Sequence, residues 1–235
     1  MLVNTTCRSK DIEIMDDLDM SGEVLINSLD QIASINKWLG GNKLTIDGIK
    51  ILLENKTKNE TIKIVDLGCG NGDMLRKVAE FGKKNSFQFE LLGIDANQAT
   101  IDYANELSVN YPEITYKKED VLSNEFETES YDIALCTLFL HHFEDAVALN
   151  FIQNLAKKAK FGIVINDLHR HRLAYYLFKV VTLFSTNQMA KKDGLLSILK
   201  GFKRKDLERF SKKINFKSTL TWRWAFRYQW IINKT

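Results

Sequence analysis

Residues 62–72 read Ile-Lys-Ile-Val-Asp-Leu-Gly-Cys-Gly-Asn-Gly, an apolar run that ends in an acid followed by three alternating glycines. The run predicts a buried strand over 62–67, and the glycines permit a tight turn in which a ligand can lie against bare backbone. A helix that starts close behind offers unpaired amide groups to polar ligand atoms. Dinucleotide-binding loops share this design, but their G-x-G-x-x-G spacing requires glycine at position 73, where this chain has Asp73.

Around this loop, short apolar segments alternate with amphipathic ones. Strands are expected at 62–67, 87–95, 114–119, 131–137 and 161–167, and helices near 73–81, 96–110 and 144–158. This alternation predicts an α/β fold, a three-layer sandwich with a mostly parallel sheet covered on both faces.

The two flanks differ from this pattern. Residues 8–54 have helical periodicity, which predicts a helical N-terminal cap over 1–58 and a main domain over 59–235. After the fifth predicted strand, a helical insertion is expected at about 169–214, with helices near 173–184, 195–199 and 205–213. Segments 216–224 and 225–232 are rich in aromatic and β-branched residues, and they predict an antiparallel strand pair.

Acids stand at the ends of the second and third predicted strands. Asp95 closes the second, where its carboxylate can accept both hydrogen bonds from a ribose diol. Glu119-Asp120-Val121 closes the third, where a carboxylate can accept a hydrogen bond from an adenine amino group. Because the carboxyl ends of parallel strands meet at one edge of a sheet, these acids are expected beside the glycine loop.

Residues 61–168 resemble the Rossmann-like core of class I S-adenosylmethionine-dependent methyltransferases, in the small-molecule branch of ubiquinone and polyketide type. The resemblance lies in four ordered motifs, at 65–72, 93–95, 119–121 and 131–134. It implies a seven-stranded sheet with an antiparallel C-terminal hairpin strand, and S-adenosylmethionine as the cofactor. The implied contacts to the methionine portion are Asp66, Gly68, Cys69, Gly70 and Gly72, with backbone near Cys136. The implied contacts to the ribose are Asp95 and Ala96, and those to the adenine are Asp120 and Val121.

Two histidine pairs follow the fourth and fifth predicted strands, where an acceptor would bind. A neutral histidine has a pKa suited to taking a phenolic proton at neutral pH. We therefore take His169, His171 and His142 as candidate bases, although paired histidines such as His141-His142 are often architectural. The candidate acceptor contacts are His141, Arg170, Tyr175 and Met15; Arg170 could instead cap an element or pair with an acid.

Segment 173–184 is apolar nearly all round, which predicts burial as a lid, contact with an apolar substrate, or docking to a membrane surface. With the N-terminal helices it is expected to roof the substrate pocket. The predicted acceptor is thus a small hydrophobic or aromatic molecule, phenolic, polyketide or quinone-like, methylated on oxygen in secondary metabolism.

Charge is divided unevenly along the chain. Residues 157–235 hold 19 Lys or Arg and 4 Asp or Glu, although the net charge is only +3. Such a region can receive an anionic partner, here RNA, a carrier protein or a membrane surface, or it can be a solvated basic face. An RNA methyltransferase and a non-catalytic S-adenosylmethionine-binding protein are therefore the alternative functions.

Several other classes are disfavoured. DNA methylation is not expected, because the amino-directed motif with two prolines is absent and the single proline is Pro112. Three scattered cysteines are too few for a disulfide framework or a zinc site, so no metal is expected and a reducing cytoplasm is the simplest compartment. No apolar stretch of 18 residues or more predicts a membrane span.

Overall fold

The computed structural model describes residues 3–54, 56–57, 60–123, 126, 129–183 and 187–234, built around a seven-stranded sheet. The strands are β1 (Thr61–Leu67), β2 (Gln88–Asp95), β3 (Ile114–Lys118), β4 (Ile133–Thr137), β5 (Gly162–Leu168), β6 (Lys217–Arg223) and β7 (Arg227–Asn233). Their spatial order is β3-β2-β1-β4-β5-β7-β6. The first five strands run parallel, and β7 enters antiparallel between β5 and β6. The predicted fold class is confirmed.

Eight α-helices surround the sheet among the described residues. They are α1 (Glu23–Trp38), α2 (Gly41–Leu53), α3 (Asp73–Asn85), α4 (Gln98–Leu107), α5 (Asp145–Lys158), α6 (Arg172–Val181), α7 (Gln188–Lys200) and α8 (Arg204–Ser211). β1 shows why the sheet is buried on both faces. Ile62 and Ile64 pack with α2 and α3, whereas Val65 and Leu67 pack with α5 and α8.

The sheet order reverses at β1, because β2 lies on one side of it and β4 on the other. Open parallel sheets bind ligands in the crevice that this reversal leaves at the carboxyl ends of the strands. The glycine loop follows β1 at this point, and β2, β4 and β5 end along the same edge. The topology thus gathers the ends of β1, β2, β4 and β5 around one crevice.

Residues 3–20, which we call the strap, form no α-helix, so the helical structure predicted over 8–54 is wrong for its first part. They are extended or bent apart from one 3-10 turn at Ile14–Asp16. The Asp193 carboxylate of α7 accepts hydrogen bonds from the backbone N–H groups of Ile14 and Met15, both at 2.9 Å. The hydrogen bonds of these amides go to a carboxylate far away in the sequence and not to carbonyls of the same helix. The periodicity of apolar residues contains no information about such a contact.

Two other predictions need correction. The helix expected near 195–199 begins earlier, as α7 at Gln188. α6 is not buried all round, since Ala174 is its only buried residue, while Leu173, Leu177 and Val180 are exposed. Position 184 of that predicted helix lies outside the described residues.

The two N-terminal helices, α1 and α2, lie in different layers of the fold. α2 packs directly on β4, β5 and β7, so it belongs to the sheet's helical layer. α1 instead packs against α7, and α7 packs against α6, so these three helices form a roof above the strand ends. None of the described helices is both long and apolar enough to span a membrane.

Candidate active site

A cavity of about 650 Å³ lies between the strand ends and the roof. One end is lined by the glycine loop, by residues 95–97 after β2 and by 119–121 after β3. The other end is walled by α6, α7 and the turn between β6 and β7, and α1 runs along the cavity from Leu29 beside Gly70 to Asn36 near Arg227. The strap and the histidine pair His141-His142 lie between these ends. One continuous space therefore joins the predicted cofactor region to the predicted roof.

The glycine loop has the backbone that its sequence predicts. Gly68, Gly70 and Gly72 have φ of 68°, 53° and 77°, in the left-handed region that side chains disfavour. At Gly70 an added Cβ would meet only the tip of Leu29, at 3.7 Å. The loop thus leaves a concavity beside Gly70 that a ligand can fill. Gly72 does not line the cavity; its missing side chain makes room for the Tyr116 hydroxyl.

Several acids that line this end are buried with unused hydrogen-bonding capacity. Asp66 is 2% exposed, and its Oδ1 has no partner among the described residues. Burial, together with the charges of Asp73 and Asp95, raises the pKa of Asp66 well above its ordinary value. Glu119 is also buried, and its Oε1 has no hydrogen-bond partner in the described chain. Glu119 is balanced in part by Lys117, whose Nζ lies 3.0 Å from Oε2. Asp66 is the stronger case, because a buried carboxylate with an unused oxygen is costly unless a ligand satisfies it.

Asp95 and Asp120 stand as the strand ends predict. Asp95 Oδ2 accepts a hydrogen bond from the Gly70 amide at 3.2 Å, which ties β2 to the glycine loop. Burial raises the pKa of Asp95 despite its backbone hydrogen bonds. Asp120 lines the same space but is exposed, and Ala96 and Val121 line it beside these acids.

The first histidine pair is held by acids from both directions. His141 is 2% exposed, and its Nδ1 lies 2.7 Å from Asp167 Oδ1. His142 Nδ1 lies 2.7 Å from Asp16 Oδ1 in the strap. Burial opposes charge on His142, but the Asp16 hydrogen bond and the charges of Glu13 and Asp16 outweigh it and raise its pKa. Both histidines line the cavity, so the strap orients a titratable ring inside it.

Lys200 of α7 completes this cluster. Its Nζ lies 3.3 Å from Glu13 Oε1 and 3.2 Å from Asp16 Oδ2. Glu13, His141 and His142 together offer three ligand atoms within 4.8 Å of one another, a spacing that suits a metal ion. Because the Lys200 ammonium already contacts Glu13, this arrangement disfavours a second cation there.

Only one histidine of the second pair, His169-His171, lines the cavity. His169 lines the cavity, and its Nδ1 accepts a hydrogen bond from Trp222 Nε1 at 3.2 Å. Burial, with the neighbouring charges of His171, Arg170 and Lys203, lowers the pKa of His169 to about 4. His171 does not line the cavity; its Nδ1 caps α6 by accepting the Leu173 amide at 3.1 Å.

The remaining predicted residues have different surroundings. Met15 lines the cavity from the strap. Arg170 does not; its buried guanidinium donates to the carbonyls of Thr5 and Gly201 and to Asp206. Tyr175 stacks edge-on against Tyr176 outside the lining. Cys136 is fully buried, and the next residues of the chain, 137–139, reach the cavity in its place.

Several lining residues were not singled out by the sequence. Glu13 and Asp16 reach the cavity because the strap is extended, and Arg227 does so from the first position of β7. The apolar wall was predicted only as a helix and is now resolved into Leu177, Phe178 and Val181. The sequence held one signal for Arg227. This arginine begins a strand whose following residues, up to Ile232, are apolar or aromatic except for Gln229.

Comparisons with known proteins agree with this geometry. Residues 64–162 match the family model described as "Methyltransferase domain". The match covers the glycine loop and strands β1 to β4 with the start of β5. A solved structure of the plantazolicin methyltransferase BpumL with S-adenosylhomocysteine has a TM-score of 0.67 and 15% identity over 89% of this chain and 90% of that one. Magnesium protoporphyrin IX methyltransferase (ChlM) from Synechocystis PCC 6803, with the same ligand, has a TM-score of 0.55 and 16% identity over 83% and 84%.

These likenesses show that the chain has the class I methyltransferase fold. Among curated proteins, ribosomal RNA large subunit methyltransferase G of Shewanella putrefaciens is 26% identical over 183 residues, 74% of this chain and 46% of that protein. The chain therefore spans about half the length of the curated relatives it matches. Both the reaction and the acceptor must therefore be argued from the cavity.

Proposed function

We propose that this chain is an S-adenosylmethionine-dependent methyltransferase that O-methylates a small hydrophobic or aromatic acceptor. The observation that carries the proposal is the single cavity, which joins buried, unpartnered acids at one end to an apolar pocket at the other. A methyltransferase must hold two ligands end to end in one space, because the acceptor atom has to approach the donor methyl group directly.

The residues at the glycine-loop end fit S-adenosylmethionine. This molecule carries a sulfonium and an ammonium, and the charges of Asp73 and Asp95 lie close enough to the buried Asp66 to raise its pKa. A cationic ligand relieves that repulsion. We take Asp95 as the contact for the ribose diol and Asp120 as the contact for the adenine amino group. When bound, the sulfonium supplies an electrophilic methyl carbon.

The roof end fits an apolar acceptor. Its walls come from Leu177, Phe178 and Val181 of α6 and from Ile198 of α7. Burying apolar ligand surface contributes about 25 cal/mol per Å² removed from water. The rim is apolar as well: Trp38 and Trp224 both line the cavity and are 72% and 75% exposed. A lipophilic molecule with one reactive hydroxyl matches this wall better than a polar amine does.

Among the predicted bases, His142 has the most suitable geometry. Its Nδ1 faces the Asp16 carboxylate, so the neutral ring keeps its proton on Nδ1 and presents the Nε2 lone pair. His169 has the opposite arrangement, because Nδ1 accepts from Trp222 and the proton must lie on Nε2. With a pKa near 4, His169 is also a weak base. We assign proton removal from the acceptor hydroxyl to His142.

A screen of acceptors tests the proposal. Formation of S-adenosylhomocysteine is measured with 4-alkylphenols of increasing chain length, with polar amines, and with ribosomal RNA. We expect turnover of the alkylphenols, with KM falling as the chain grows. Exclusive turnover of the amines would overturn the acceptor class. Tight cofactor binding without turnover of any arm would favour the non-catalytic binding protein.

RNA methylation is the second candidate, favoured by the names of the curated relatives and by the basic residues 157–235. Phosphate contacts make affinity fall steeply with salt concentration. A filter-binding titration against ribosomal RNA at 50 and 200 mM salt separates the two candidates. We expect weak binding that does not produce methylated RNA.

A further inference from the structure

Arg227 follows a tight turn whose backbone is unusual. Ala225 and Phe226 have φ of 62° and 53°, and neither is a glycine. Bulky residues rarely adopt this conformation, and where they do the surrounding structure or a function holds them there. The turn carries Arg227 to the cavity wall, between Phe226 and the β5 end.

The guanidinium of Arg227 is buried without hydrogen-bond partners. The residue is 2% exposed, and its Nε and Nη1 bond to nothing among the described residues. The nearby Asp167 is already occupied, since His141 and the Leu168 amide take its two oxygens. Burial lowers the pKa of Arg227 to about 10, so the group still carries its charge at neutral pH. A buried charge is costly unless it is paired.

The neighbours of Arg227 keep space around it. A Cβ at Gly41 would lie 2.9 Å from Arg227 Nη1 and 1.9 Å from Asn36 Oδ1. Glycine at this position therefore allows both polar groups to approach the α2 N-terminus. Asn36 also lines the cavity, and its Oδ1 has no hydrogen-bond partner in the described chain. Among the described lining residues Arg227 is the only Lys or Arg.

We propose that Arg227 is a binding residue for a carboxylate that enters this cavity. A planar guanidinium with two free donors pairs with a carboxylate through parallel hydrogen bonds. One arginine balances one carboxylate, whereas a phosphate dianion would leave a second charge unpaired in a wall that includes Phe226 and Leu39. The inference rests on the proposed function, because it assigns a ligand group within the same site.

Two carboxylates can reach this position. One is the methionine carboxylate of the cofactor, and the other belongs to an acceptor of amphipathic acid type. Arg227 starts β7, and β7 lies three strand spacings from β1, roughly 14 Å along the sheet at about 4.8 Å per spacing. The long side chain leads back toward Asn36 and Gly41 of the roof and α2. Both sources therefore need a separate arm in the experiment.

The test compares Arg227→Met with Arg223→Met by calorimetry. Arg223 lies in the same hairpin, pairs with Gln229 and does not line the cavity. The cofactor arm compares S-adenosylhomocysteine with 5′-methylthioadenosine, which lacks the amino-acid end. The acceptor arm compares decanoate with decanol. Arg227→Lys keeps the charge but not the paired geometry, and it serves if the Met variant does not fold.

We expect Arg227→Met to weaken one carboxylate ligand by about 10- to 100-fold, the effect of a charged hydrogen bond, with the carboxylate-free counterpart changed less than twofold. A loss on S-adenosylhomocysteine assigns the methionine carboxylate, and a loss on decanoate assigns the acceptor. The ligand-free melting temperature should stay level or rise, because an unpaired buried charge is removed. The proposal is wrong if Arg227→Met binds both S-adenosylhomocysteine and decanoate as tightly as the wild type does. It is also wrong if the melting temperature of Arg227→Met falls by a large amount. Failure of the wild-type protein to bind either nucleoside would instead count against the proposed function.

Discussion

The glycine-loop end of the cavity is built from residues 66–72, 95–97 and 119–121, each set directly following a strand of the parallel sheet. The roof end takes its residues from the strap, three helices and a hairpin turn that are far apart in the chain. His142 and Asp16, for example, are 126 residues apart and share a hydrogen bond. The first end is thus fixed by the sheet, and the second depends on tertiary packing.

This difference teaches that the two ends can vary independently. A loop on a rigid sheet tolerates little change, because its glycines adopt positive φ and its acids face one ligand. The roof instead offers apolar surface and a few charged anchors, and its residues can change without disturbing the sheet. Substitutions at the first end should therefore affect cofactor binding, and those at the second should affect acceptor turnover.

The largest effect on cofactor affinity is expected at Asp95. Asp95→Ala should weaken S-adenosylhomocysteine binding by roughly 100-fold or more, since two hydrogen bonds to a charged group contribute about 1.5–3 kcal/mol each. Calorimetry measures this. Glu90→Ala, at an exposed position of the same strand, is the control and should bind normally. Unchanged affinity of Asp95→Ala would remove the cofactor assignment of this end.

His142, which lies between the two ends, tests acceptor turnover separately from cofactor affinity. His142→Gln should lower kcat by about 100- to 10,000-fold, the usual contribution of a general base. Its affinity for S-adenosylhomocysteine should remain within twofold of the wild type. His169→Gln and His171→Gln are measured beside it, and a larger loss in either would transfer the role of base to that residue.

The pH dependence of turnover sharpens the same assignment. Because Asp16 and Glu13 raise the pKa of His142, the base is deprotonated only above pH 6.5, and the acidic limb of kcat/KM should lie there. Asp16→Asn removes one raising contact and should move this limb to lower pH. A limb that does not move would show that another group is titrating.

The stability of the strap gives a smaller effect. Contacts with His142 and Lys200 outweigh burial and lower the pKa of Asp16, so its contribution is present above about pH 3.8 and is lost as pH falls below that value. The raised pKa of His142 gives a contribution that is full below 6.5 and lost as pH rises through its folded pKa. The Asp16–His142 pair therefore stabilises the fold most between about pH 4 and 6.5.

Within that window, Asp16→Asn should lower the free energy of unfolding by on the order of 1 kcal/mol, or about 2–4 °C in melting temperature for a chain of this size. Thermal unfolding at pH 5 and pH 9 measures the difference, which should be smaller at pH 9. The exposed Asp19→Asn is the control and should show no such pH dependence. An equal loss at both pH values would contradict the linkage.

The smallest effect is expected at the rim. Trp224→Ala should raise KM for a long-chain acceptor by less than about tenfold, because an exposed ring gives up only part of its burial to a ligand. Stability should change by less than about 0.5 kcal/mol, as for other surface substitutions. Steady-state kinetics across acceptor chain lengths measure it. An effect that does not depend on chain length would show that the ring does not contact the acceptor.

The sequence predicted the sheet and the glycine-loop end because both depend on short-range patterns. Asp95 and Asp120 end strands whose apolar runs are visible in the sequence, so their meeting follows from parallel strand geometry. The strap was predicted as a helix because the periodicity of its apolar residues does not record that Asp193 holds its backbone. Segment 173–184 was interpreted as apolar nearly all round, but Arg172 and Lys179, seven residues apart, share one exposed face of α6.

The sequence also did not predict that Arg227 and Glu13 line the cavity, for a related reason. A single charged residue usually lies on a solvated surface, and only the packing of the hairpin against the β5 end shows that this one is enclosed. Glu13 is buried because the strap passes beneath α7, where Ser197 donates to its Oε2 at 2.8 Å. Such placements arise from contacts between distant segments, which leave little local trace.

The strap has a practical consequence for work with this protein. Its hold on His142 and Lys200 forms through contacts of very long sequence separation, which close late in folding because loop closure costs entropy. A variant that lacks the strap should retain nucleoside and yet transfer methyl groups slowly. Tight ligand binding is therefore no proof that a preparation is active, and the strap should be left intact when acceptors are screened.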